Sequence, residues 1–153
     1  MLCAGKMNRR LLISAAAVIA VMPVAGARAD LPDYANFQMP AAAYAAAKSV
    51  PYKQCMAQSG GVTSVMRACS AQEHGRLDQG LNRNYRLALA RLAAQPRQAE
   101  LRAHQRAWLT ESIQTCDARA MQQGGGGQAS LILRDDCLLQ EMIRRTQWLN
   151  GLR

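Results

Sequence analysis

Four cysteines, Cys55, Cys69, Cys116 and Cys137, constrain this chain more than any other feature. They stand at separations of 14, 47 and 21 residues. Cysteine-built zinc sites use short pairs of the C-x2-C kind, which these gaps do not supply. An even cysteine count in a short exported domain reads instead as a disulfide framework. Four cysteines allow three connectivities. The pairing Cys55–Cys69 with Cys116–Cys137 is favoured here. The first bridge would pin a short helix across Gly60-Gly61, and the second would close the glycine run Gly124 to Gly127.

The oxidising compartment that such bridges need is written at the N-terminus. Lys6, Arg9 and Arg10 precede an apolar run from Leu11 to Met22, and Ala27-Arg28-Ala29 is a small-x-small cleavage site. These are the parts of a secretory signal. The run is shorter than the ~20 apolar residues that cross a bilayer comfortably. Met7 is an alternative start, and Cys3 precedes the run, so it leaves with the leader. Residues 1–29 read as a signal peptide, 30–50 as an extended or Ala-rich lead-in, and 51–153 as one helical domain. The product is expected to be periplasmic or secreted, with no transmembrane span after signal removal. Taking 29 from 153 leaves 124 residues, enough for a core of its own. Fifteen of the 19 basic residues and all ten acidic ones lie beyond the leader, so the mature charge is +5. That balance suits contact with anionic envelope components. Export and a single Phe argue against a nucleic-acid partner.

Apolar spacing sets the fold class as all-α. Pro51 opens a short helix that Gly60-Gly61 ends, because proline is tolerated in a first turn. From Thr63 a stripe runs through Met66, Cys69, Leu77, Leu81, Tyr85, Ala88 and Leu92, in helical steps. Gln95-Pro96 is read as the break. The pattern resumes at Leu101, Gln105, Trp108, Ser112 and Cys116, predicting a long antiparallel helical hairpin. Gln122 to Ser130, with its four glycines, is read as a flexible loop. Leu131, Asp135, Leu138, Met142, Arg145, Leu149 and Leu152 predict a third packed helix with a narrow seam. No alternating run supports a strand.

Little in the chain suggests catalysis. There is no G-x-S-x-G, no H-E-x-x-H and no phosphate-cradling loop, so the chain is read as non-enzymatic and without cofactor. His74 with Asp78, and Glu100 with His104, are i,i+4 pairs that could each hold half a metal site. Folding the hairpin separates them by ~20 Å at 1.5 Å per residue, so surface histidines without metal are expected. The polar residues on the apolar stripes carry more information. Glu73, Asp78, Asn82, Gln105 and Arg145 fall on or beside the buried faces. A buried charge is costly unless paired. A network is expected in which Arg145 meets Glu73 or Asp78, and Gln105 reaches Asn82 or Tyr85.

These residues occur in a familiar order. Tyr52-Lys-Gln-Cys55-Met56, Gly60-Gly61-Val-Thr63, Cys69, Glu73, Asp78, Leu81-Asn82 and Tyr85 form the first half. Gln105-Arg106-Ala107-Trp108, Cys116, Cys137, Arg145 and Leu149 form the second. In this order the chain resembles the lysozyme inhibitor LprI-like N-terminal domain family, over about Pro51 to Leu152. The resemblance implies an exported, helical, cysteine-paired domain whose named activity is inhibition of lysozyme in the bacterial envelope. Two departures from the family pattern stand out. An Arg-Asp pair is usual where Ser112-Ile113 stands, and a Thr is common where Met142 stands. The lost ion pair leaves Arg145 without one expected local partner.

Two function classes follow. The first is an envelope protein that inhibits lysozyme, or another cell-wall hydrolase, by binding and occlusion. The alternative is a non-catalytic envelope module that binds cell wall, anionic lipid or another envelope protein. Many lysozymes are basic, so a chain at +5 needs a local acidic patch to meet one. Asp135-Asp136 is the adjacent acidic pair, and Gly124 to Asp136 is the expected contact edge.

Overall fold

The computed structural model describes residues 31–92 and 95–153. The leader read at 1–29 lies outside the described residues. Among those described there are five helices and no strand: α1 Ala41–Ala47, α2 Val50–Gln58, α3 Thr63–Arg91, α4 Gln95–Gly124 and α5 Gln128–Gly151. None of them is long and apolar enough to cross a membrane.

Local chemistry sets the helix ends. The Ser49 hydroxyl caps α2 by accepting from the Tyr52 amide at 3.2 Å, and proline sits in the first turn. Gly60 and Gly61 both take positive φ, 60° and 76°, and turn the chain from α2 into α3. The break between the two long helices falls just before Gln95-Pro96: α3 ends at Arg91 and α4 starts at Gln95, with Pro96 next. Pro96 lies in the first turn of α4, where its missing N–H costs nothing. The glycine run differs from expectation. α4 continues through Gln122 and Gln123 to Gly124, and α5 starts at Gln128, so the connection is three residues long. Gly125 and Gly126 take positive φ to make it.

α5 is the centre of the bundle. α3 and α4 each pack along it, α2 packs on α3, and α1 packs on α5. This explains why the narrow seam expected for α5 is too narrow. A helix touched from two sides needs two apolar faces, so Leu139, Ile143 and Trp148 are buried beside Met142, Arg145 and Leu149. The outer helices bury one stripe each: Cys69, Glu73, Leu77 and Leu81 on α3, and Leu101, Trp108, Ser112 and Cys116 on α4. Cys55–Cys69 ties α2 to α3, and Cys116–Cys137 ties α4 to α5. Closing loops of 14 and 21 residues removes unfolded-state freedom worth about 3 kcal/mol for each bridge.

The segment before α1 packs onto the bundle rather than standing off it. Leu31 is buried, its amide donates to Glu100 at 3.1 Å, and the Trp148 indole donates to the Pro32 carbonyl at 3.1 Å.

Candidate functional site

Arg145 is the largest fully buried side chain among the described residues, with no exposed surface. It sits on α5 where α4 and the N-terminal segment meet. Its Nε donates to the Gln105 side-chain oxygen at 2.9 Å. Its two terminal nitrogens have no hydrogen-bond partner. Aromatic faces surround the guanidinium instead: Trp148 at 4.2 Å, Tyr34 at 5.0 Å and Trp108 at 5.6 Å. A planar, weakly hydrated cation is well suited to such stacking. Burial pulls its pKa down to about 10. Tyr34 packs edge-on against Trp148 and donates its hydroxyl to Glu141 at 2.9 Å. Burial, with the Glu141 charge adding, pushes that phenol up to about 12.

The expected polar network therefore divides into separate parts. Arg145 does not hydrogen-bond Glu73 or Asp78; it meets Gln105, and Gln105 turns to Arg145 rather than to Asn82 or Tyr85. The physical reason is that Arg145 faces α4 and the N-terminal segment, whereas Glu73 faces the start of α2. Glu73 is buried and accepts from the Ser49 amide at 2.8 Å, the Ser49 hydroxyl at 2.7 Å and Arg76 at 2.6 Å. Burial alone would raise this carboxyl. The Arg76 and Ser49 bonds outweigh it and hold the pKa at about 2. Asp78 and Asn82 are not buried. They form an exposed i,i+4 bond of 2.9 Å on the surface of α3.

Asp135 and Asp136 lie inside α5, and both are engaged by the chain's own cations. Arg67 bonds Asp135 at 3.0 Å, and Lys48 bonds Asp136. They brace α3 and the α1–α2 junction against α5. The histidines do not converge: His104 lies against Trp148, and His74 lines a cleft on the other side of α4.

That cleft, of about 350 Å³, runs between α3, α4 and α5. Leu81, Trp108, Leu109, Ile113, Leu138 and Met142 form its apolar lining. Leu109 and Ile113 remain half exposed, at 50% and 46%. Ser112, Ile113 and Met142 all line this one cleft. Glu111, exposed and outside the ion pairs among the described residues, lies on the opposite flank of α4, in a second cleft with Tyr34, His104 and Arg144.

Fold and site together define an all-helical bundle, braced by two disulfides and built around a caged arginine. The chain belongs to the LprI family: the family model described as Lysozyme inhibitor LprI matches residues 55–149, more than half the chain. Comparison with curated proteins and with solved structures gives no match. The matched span holds both disulfides, Trp108, Gln105 and Arg145. Tyr34, which completes the cage, lies before it. Sequence reading missed Tyr34 because its segment carries no periodic signal.

Proposed function

We propose that this chain is exported, oxidised, and inhibits a lysozyme-type wall hydrolase by binding and occlusion. Membership of an inhibitor family is the observation that carries the reading. The disulfide-braced framework supports it, since such bridges persist in the oxidising space outside the cytosol.

The α4 face beside the cleft is the surface best suited to contact. Exposed Leu109 and Ile113 offer apolar anchors, and Asp78 on the facing side of the cleft supplies negative charge toward a basic enzyme. The sequence-derived edge at Asp135 and Asp136 is less suited, because its charges are already matched internally. Purified oxidised protein is added to a turbidity assay of wall lysis. Inhibition at near-stoichiometric amounts, lost in Leu109→Lys/Ile113→Lys and retained in Asp135→Ala/Asp136→Ala, supports both enzyme and face. No inhibition at large molar excess overturns the function, and equal inhibition by the Lys variant overturns the face.

A further inference from the structure

One end of the bundle gathers a positive charge that the linear sequence disperses. α3 contributes Arg83, Arg86 and Arg91 toward its C-terminus, and α4 contributes Arg97, Arg102 and Arg106 from its start. The helices join at this end, so all six fall within about 17 Å of it along the axes at 1.5 Å per residue. The only carboxylate between residues 83 and 106 is Glu100, which accepts the Leu31 amide. Among the described residues, none of the six takes part in an ion pair. Arg91 and Arg97 are fixed by backbone carbonyls, those of Leu149 and Arg153. Arg83, Arg86, Arg102 and Arg106 are exposed.

We propose that this arginine end docks on an anionic phospholipid surface. Charge complementarity is the first argument: juxtaposed basic residues near such a surface each add attraction that falls away within a Debye length. Leu87 is the second. It is 56% exposed on the α3 surface that carries Arg83 and Arg91 at i−4 and i+4. An apolar side chain among arginines suits a headgroup–acyl boundary better than a fully polar wall polymer.

The test is flotation of the mature chain, residues 30–153, with phosphatidylglycerol/phosphatidylcholine vesicles, with pure phosphatidylcholine vesicles as the neutral control. Binding to the anionic vesicles alone, weakening as salt rises, is the expected result. Arg83→Gln/Arg86→Gln/Arg102→Gln/Arg106→Gln, checked for native helicity, should bind on the order of 10²–10³-fold more weakly, at about fivefold for each arginine. Lys53→Gln/Arg119→Gln, far from this end, should lose less than that fivefold. Leu87→Gln should weaken vesicle binding and leave binding to a soluble polyanion such as heparin unchanged. No flotation with anionic vesicles at low salt overturns the proposal. So does an equal loss in both charge variants, or Leu87→Gln without effect on vesicles, which would mark a general polyanion surface.

Discussion

Replacing Arg145 with methionine tests how the bundle tolerates a buried charge. The guanidinium is fully buried and its pKa falls from 12.5 to about 10, so the charged form is disfavoured by about 3 kcal/mol. Two contributions oppose this. The bond to Gln105 is worth about 1.5–3 kcal/mol, and each well-placed aromatic face about 0.5–2 kcal/mol. The sides nearly cancel, so Arg145→Met, which keeps most of the volume, should change stability by no more than ~1 kcal/mol. The residual loss comes from the stranded Gln105 oxygen, and Arg145→Met/Gln105→Leu should recover it. Arg145→Ala instead opens a cavity between Trp108, Trp148 and Tyr34 and should cost ~3 kcal/mol or more. Urea unfolding followed by circular dichroism gives all three values. If the methionine variant unfolds as readily as the alanine variant, the charge itself holds the bundle together and the reasoning fails.

Glu73 should make the fold acid-sensitive. Its carboxyl is held at about 2 against the usual 4.5, so its contribution is complete above ~4.5 and is lost as pH falls toward 2. With partly exposed Arg76 as its cation, the loss should be ~2 kcal/mol, and Glu73→Gln should flatten the fall in Tm over that window. Removing the α4–α5 bridge with Cys116→Ala/Cys137→Ala should cost about 3 kcal/mol in chemical unfolding, while an unchanged midpoint would remove the bridge from the account of stability.

The cysteine pairing and the stripes on α3 and α4 were legible because each outer helix buries a single face with regular spacing. The central place of α5 was not. A helix packed on two sides looks in sequence like a narrow seam with stray apolar residues, such as Leu139, Ile143 and Trp148. The surroundings of Arg145 were hidden for a related reason. Opposite charge is the partner that sequence suggests, yet aromatic rings from residues 34, 108 and 148 solve the same problem and leave no i,i+4 signature. The glycine run misled because glycine is costly within a helix but acceptable at its end, and α4 stops at the first of the four. The arginine end emerges only when the C-terminal part of α3 and the start of α4 come to the same end of the bundle, on either side of α5.

The most direct measurement is a calorimetric titration of oxidised protein into a purified lysozyme, with occupancy of the enzyme's substrate cleft followed by displacement of a bound chitin oligosaccharide. The account predicts saturable one-to-one binding that displaces the oligosaccharide. Absence of binding, or binding that leaves the oligosaccharide in place, would contradict inhibition by occlusion.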